Sequence, residues 1–293
     1  MKQIINSFLI ILLIFILGWF IKLNTDEFNE WWQEINDEQN YLEVVFFDVG
    51  QGDATWVEFT NGDQMLIDCS KDRKVLKQIG KEMWFYDNTL DYLVITHPDL
   101  DHYGGCIDII KKYKVEHIIY NGVKKTDSNF WRKFNQAYQK ENAKYYNITK
   151  PKEINIASSS LNFFFPDRNL AKQGNRTKFA STNNTSLVFK LKHGKIDILF
   201  SGDGEKKLER YISREYSEKL NSEIYKMGHH GSAGSSNNFF ISKIQPNISI
   251  ASAGKDNSFG HPSPVAIQRL ENIGSQIFRT DQDGDISVKI FQD

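Results

Sequence analysis

The sequence predicts an α/β protein of the αββα type, with two sheets packed face to face and helices on both outer faces. Three observations point there. Strands rich in β-branched residues open the body, strands and helices then alternate through two halves of similar size, and polar clusters repeatedly follow strand ends. The 293 residues, 40% hydrophobic, are enough for a full layered core. No internal repeat, proline-rich linker or low-complexity run divides residues 41–293, which read as one domain.

Residues 8–21 form an unbroken apolar run that extends over 4–23, the length of one membrane span. No small-x-small pattern follows it for a signal peptidase, so an N-terminal membrane helix is expected rather than a removed signal segment. The expected order is an anchor or signal segment over 1–23, an acidic, Trp-bearing linker over 24–40, and the body. A single N-terminal span places that body outside the cytoplasm, tethered to the membrane or, if the segment is cut, secreted.

Strands are expected at 42–47, 54–59 and 64–68 as a front meander, with Gly62 in a turn. Residues 71–81 read as a helix, 90–95 as an apolar strand and 106–113 as a helix. The polar run 96–102 therefore sits in a strand-to-helix loop, at the carboxyl edge where α/β sheets gather ligands. A strand at 117–120, a helix at 129–139 and strands at 161–165, 187–191 and 196–200 come next. The clusters 201–205, 228–232 and 260–264 again trail strands, at 196–200, 224–227 and 248–251, which predicts one shared site. Ser263 is placed to cap a helix at 265–271.

Charge excludes some functions. With 36 Lys+Arg against 37 Asp+Glu the chain is nearly neutral, and from residue 24 onward 34 basic residues face 37 acidic ones. A nucleic-acid binder driven by bulk charge is ruled out, so any phosphate affinity must be local. The basic residues of 71–81 and 175–178 could line a channel, although such runs are more often solvated faces. Cys69 and Cys106 are too few for a disulfide framework and are expected as buried core thiols.

The densest chemistry lies in Thr96-His97-Pro98-Asp99-Leu100-Asp101-His102-Tyr103-Gly104-Gly105, where His97, Asp99, Asp101 and His102 fall at i, i+2, i+4 and i+5. A tight loop with that spacing aims imidazoles and carboxylates into one cavity and can serve two divalent ions. Gly104-Gly105 lets the next helix approach closely. Farther on, Asp203 ends a strand between Gly202 and Gly204, where a carboxylate could bridge two cations, and Gly228-His229-His230-Gly231 ends another. His261, in Gly260-His261-Pro262, is expected to reach a phosphoryl oxygen or leaving group. Asp53 is a further catalytic candidate. His193, in a turn-like Lys-His-Gly-Lys, and His117, beginning a strand, read as structural.

These motifs resemble the metallo-β-lactamase superfamily, whose His-x-His-x-Asp-His signature stands here as His97-x-Asp99-x-Asp101-His102. Phe47-Asp48-Val49-Gly50-Gln51-Gly52-Asp53-Ala54, Leu66-Ile67-Asp68, Asn183-Asn184-Thr185-Ser186, Ser201-Gly202-Asp203, His229-His230-Gly231-Ser232 and Gly260-His261-Pro262 narrow the likeness. Together they resemble the hydrolase domain of the ComEC competence proteins, without that family's channel. The resemblance implies His97 and Asp99 on one metal, Asp101, His102 and His229 or His230 on the second, and Asp203 on both, with Asp68 supporting a ligand from behind. Two departures matter: Asp99 replaces the second His of the signature, and Asn183 stands where the first site's third nitrogen ligand is expected. Oxygen in place of nitrogen shifts the expected ions from zinc toward manganese or magnesium.

The resemblance thus implies a metal-dependent hydrolase. The leading expectation is a phosphodiesterase or nuclease on DNA, in which two metal ions activate a bridging water and Asp101, His261 and Asp53 assist. Two other readings stand beside it. One is an exported phosphoesterase on cell-envelope polymers, of the phosphorylcholine esterase kind. The other is a membrane-tethered binding protein with a degenerate metal site.

Overall fold

The computed structural model describes residues 40–125, 129–172 and 181–292. The expected membrane helix at 4–23, the linker before Asn40 and the basic run 175–178 lie outside the described residues. Among the described residues no helix is long and apolar enough to cross a membrane. Tyr41–Asp293 forms one compact unit.

Two seven-stranded sheets build it. The first contains β1 (Tyr41–Phe46), β2 (Thr55–Glu58), β3 (Gln64–Ile67), β4 (Thr89–Ile95), β5 (Lys114–Tyr120) and β6 (Lys144–Asn147). The second contains β7 (Lys152–Ile156), β8 (Ser159–Phe165), β9 (Val188–His193), β10 (Ile196–Phe200), β11 (Ile224–Lys226), β12 (Ile248–Ala251) and β13 (Gln276–Arg279). The last strand, β14 (Ile286–Phe291), returns to the first sheet beside β1, giving orders β14-β1-β2-β3-β4-β5-β6 and β13-β12-β11-β10-β9-β8-β7. Pairing is antiparallel from β14 to β3 and parallel from β3 to β6; the second sheet repeats this, antiparallel from β7 to β10 and parallel from β10 to β13. Two matching halves are present after all, although no sequence repeat marks them.

Alternation explains the layers, because successive strand side chains point to opposite faces. In β4, Val94 joins the apolar layer between the sheets while Leu93 and Ile95 meet the outer helices; in β10, Ile198 and Phe200 point inward and Leu199 outward. The outer face of the first sheet is covered by α1 (Lys74–Glu82), α3 (Cys106–Lys112) and α4 (Asn129–Lys140). That of the second is covered by α5 (Lys206–Tyr216), α6 (Asn238–Ile244) and α7 (Pro264–Glu271). Within the loop expected at 96–102 a single extra turn forms, α2 (Leu100–Tyr103). Ser263 caps α7 by accepting from the Val265 amide.

Several expectations are corrected. The helix expected at 71–81 begins at Lys74, and β6, β7, β13 and β14 and the helices α5 and α6 had no sequence reading. Cys69 and Cys106 are fully buried, as expected, but they form a disulfide. That bond joins the segment after β3 to the start of α3, bracketing the ligand-bearing loop. His193 and His117 are structural: His193 is buried against Ser159 Oγ (2.8 Å), and His117 stacks on Tyr92 and faces the Asp91 carbonyl.

Parallel strands set the site. Because β1, β3 and β4 run the same way, as do β10, β11 and β12, the segments following them leave each sheet at one edge.

Candidate metal centre

Three imidazoles converge from two of those loops. His97 and His102 follow β4, and His230 follows β11; all three are essentially fully buried. Each is fixed by its Nδ1. His97 Nδ1 donates to Thr96 Oγ1 (3.1 Å), His102 Nδ1 to Asp68 Oδ2 (2.8 Å), and His230 Nδ1 lies 3.1 Å from both Asp53 Oδ1 and the Ser252 carbonyl. Asp68 also accepts the Thr96 amide (2.8 Å) and hydroxyl (2.7 Å), tying strand end to ligand loop. With each Nδ1 donating, each ring in its neutral form presents a lone pair at Nε2.

Those lone pairs surround Asp203. His102 Nε2 is 3.1 Å from Asp203 Oδ1, while Asp203 Oδ2 lies 3.8 Å from His97 Nε2 and 3.7 Å from His230 Nε2. Among the described residues, none of the three Nε2 atoms, nor Asp203 Oδ1, has a hydrogen-bond partner, although all are buried. Buried polar atoms are normally paired, and four orphans in one cluster are what cation ligands look like without the cation. Potential ligand atoms within 4.8 Å of one another define the groups His97, His102, Asp203 and Asp101, His102, His230, which share His102, and also Asp53, Asp203, His230. Mixed imidazole and carboxylate donors fit divalent ions.

Local backbone supports the arrangement. His229 and His230 sit in the left-handed region, with φ of 49° and 55°, so two successive side chains turn toward the ligand loop. Gly104 and Gly105 pack directly on backbone: a Cβ there would lie 2.1 Å from the Lys71 carbonyl and 2.2 Å from that of Cys69.

The remaining expected residues are sorted by contacts. Asp101, one-third exposed, lies 3.4 Å from His230 Nε2 at the mouth. Asp99 stands 3.5 Å from His97 Nε2, but its oxygens already accept from Lys125 (2.6 Å) and Thr182 (2.7 Å). Of the two strand-end imidazoles, His230 joins the inner groups; His229 is a quarter exposed, 3.7 Å from Asp203 and 3.8 Å from Glu205. Asn183, expected to replace a ligand, gives its side-chain amide to Glu205 (3.2 Å), and its backbone carbonyl accepts the Ser186 hydroxyl. Ser186 in turn accepts the Asp203 amide (3.0 Å). Asp53, expected as catalytic, stands behind His230, with both oxygens held by Lys226 at 2.8 and 2.9 Å; it positions a ligand rather than facing solvent. His261 is at the mouth, its ring 5.5 Å from that of His229, with an unpartnered Nδ1.

Charge follows geometry. Burial alone would raise the Asp203 carboxyl, but His102 and His230 hold it far below the usual range. Burial works against protonation of His230, yet Asp203 and Asp53 hold it up to about 10, so an ion entering without other changes displaces a proton. His261 goes the other way: burial, with His229 and His230 beside it, lowers it to about 4 and leaves the ring neutral at pH 7.

Lys226, Thr96, Ser186 and Glu205 had no role in the sequence reading. Lys226 carried a signal, a lone cation inside the apolar run Ile224-Tyr225-Lys226-Met227. Buried charges are rare unless paired, so it called for a buried acid.

The sequence pattern of the metallo-β-lactamase superfamily matches residues 47–255, a span that includes every residue of the inner cluster. The chain belongs to the metallo-β-lactamase superfamily. Members of this superfamily are generally metal-dependent hydrolases, and the residues described above fit divalent ions. Among relatives, ComE operon protein 3 of Bacillus subtilis is 28% identical over 84% of this chain. Recombination protein 2 of Haemophilus influenzae is 27% identical over 86% of it. Both are ComEC-type competence proteins, and the chain spans about a third of their length, 33% and 29% respectively. The metallo-β-lactamase fold protein YhfI of Bacillus subtilis has the same fold, with a TM-score of 0.56 at 8% identity over 85% of this chain and 99% of that one.

Proposed function

We propose that this metallo-β-lactamase superfamily protein hydrolyses phosphodiester bonds of DNA. The cluster of orphaned Nε2 atoms around Asp203 carries the reading, because it is built to hold cations and not to hold itself together. Divalent ions held there supply Lewis acidity toward a phosphate and make water more acidic. The chain's residues do the rest. His97, His102 and His230 bind through Nε2, with Asp203 between them, and Thr96, Asp68 and Asp53 keep the rings oriented. Asp101, at the mouth, takes a proton at its exposed carboxylate. Neutral His261 donates an N–H to a phosphoryl oxygen. One relative's name, Recombination protein 2, belongs to a DNA process, and this favours DNA over other phosphodiesters. A buried disulfide suits an oxidising compartment and so favours a body outside the cytosol.

The test is release of product from DNA and, in parallel, from a choline phosphodiester, with manganese, magnesium or zinc and with chelator. The expected result is metal-dependent cutting of DNA, lowered roughly 10²-fold or more in Asp203→Asn and in Asp101→Ala with the fold retained. Cutting at the parental rate by Asp203→Asn refutes the site. Preference for the choline diester moves the assignment to envelope polymers.

A further inference from the structure

Beside the metal centre lies a cavity of about 810 Å³ between α1 and the loop after β12. Two loops line it and then enter the centre. The first runs through Gly50 and Gln51 to Asp53, which holds His230; the second runs through Gly254, Lys255 and Asn257 to His261. Asn257 secures the second loop, accepting the His261 amide (3.0 Å) and donating to the Gly254 carbonyl (2.8 Å).

The wall is basic. Helix α1 buries Val75, Gln78 and Ile79, which turns Lys74, Lys77 and Lys81 outward at i, i+3 and i+7, and Lys255 faces them from the other loop. Asp48 and Asp285 also line the cavity, but Asp285 is held by Lys81 (2.6 Å) and Gln78 (2.8 Å), and Asp48 accepts the Gly50 amide. Among the described residues no ion pair engages Lys74, Lys77 or Lys255, so three cations on this wall face the Asp48 carboxylate. Two residues beyond Asn257, on the way to the centre, Phe259 is 67% exposed and stacks on His261, rings 5.8 Å apart at 26°. A basic groove leading to an exposed aromatic ring is how proteins hold single strands, with phosphates on the cations and a base on the ring. Polyol-phosphate polymers offer the charges without a flat base.

We propose that this cavity is the track for a single nucleic-acid strand beside the cut, with phosphates on Lys74, Lys77 and Lys255 and a base stacked on Phe259. The assignment rests on the phosphodiesterase reading for its meaning but is tested without catalysis. The full-length protein, with chelator present, is titrated with fluorescent oligodeoxythymidylate at several salt concentrations. Replacing Lys74, Lys77 and Lys255 together by Gln should weaken binding at least roughly tenfold and flatten the log–log salt slope by about 2, since each phosphate neutralised on a single strand contributes about 0.7. The corresponding Arg variant should bind like the parent. Phe259→Ala should cost roughly five- to a hundred-fold in affinity for the oligonucleotide, and nothing for a competing polyglycerol phosphate. A control removing Lys111, Lys133 and Lys140, on another face, should leave binding unchanged. Parental affinity in the Lys74, Lys77, Lys255 variant, equal weakening in the control, or equal sensitivity of polyglycerol phosphate to Phe259→Ala overturns the track. Lysine-dependent binding by a parent that cuts no DNA with any divalent metal keeps the track and overturns the catalytic reading instead.

Discussion

Each imidazole of the candidate metal centre is held at Nδ1, and at His230 the holder is itself held. Asp53 is buried beneath the ring, and the amine of Lys226, 4% exposed, closes on both its oxygens. Lys226→Met keeps the length of the side chain and removes the charge, leaving a carboxylate buried against one imidazole. Removing one partner of a buried pair costs about 3–5 kcal/mol. The unfolding free energy from urea titration should fall by that amount, and manganese affinity should fall with it as His230 loosens. A change within about 0.5 kcal/mol, the range of ordinary surface substitutions, would mean that Lys226 is dispensable.

At the scale of elements, the ligand loop is seated by contact between backbones. The turn between α2 and α3 lies on the segment after β3, with the Cys69 amide donating to the His102 carbonyl (2.7 Å) and the Gly105 amide to the Ser70 carbonyl (3.1 Å). Gly105 leaves no room for a side chain there, since a Cβ would also fall 2.6 Å from the Asp72 carbonyl. Gly105→Ala must push the loop off this seat, moving His102 away from Asp68. Overpacking of this kind costs about 1–3 kcal/mol. The expected outcome is a lower melting temperature and a larger proportional loss of metal affinity, read by isothermal titration with manganese. Unchanged affinity would show that the loop is held elsewhere.

Over the whole molecule, the site depends on two sheets meeting with their matching edges aligned. The first sheet brings Asp53, Asp68, His97, Asp101 and His102; the second brings Asp203 and His230. The disulfide restrains the first half, closing a separation of 37 residues around the β4 strand and its ligand loop. Chain-entropy arguments give a loop of that size roughly 4 kcal/mol. Cys69→Ser with Cys106→Ser should therefore lower the unfolding free energy by about that much, seen as a lower urea midpoint. A midpoint equal to the parent's would show that the thiols act only as core.

Legibility tracked locality. His97, Asp101 and His102 stood out as candidates because one loop spends four possible ligands in six residues, and Asp203 and the His229-His230 pair because glycines and a strand end flank them. Spacing does not reveal that Lys125 and Thr182 hold the oxygens of Asp99 or that Glu205 holds the side-chain amide of Asn183. Nor does it reveal the partner of Asp53, since Lys226 is 173 residues away. Strands β1 to β3 were readable by alternation and β-branched runs, and β4 as an apolar run. Strands β6 and β13, with four residues each and none of them buried, lack the apolar run that made the equally short β2 and β3 stand out.

By itself, the sequence determined the strand-and-helix chemistry, the layered fold and the inventory of candidate ligands, because these rest on periodicity and on residue types adjacent along the chain. Only the tertiary structure decided which histidine turns inward, which carboxylates face the unpartnered Nε2 atoms and which stand behind them, that the cysteines are bonded, and that lysines of α1 line one cavity with Lys255. Those outcomes depend on pairings between residues far apart in the chain, set by sheet register and by competition for each polar atom.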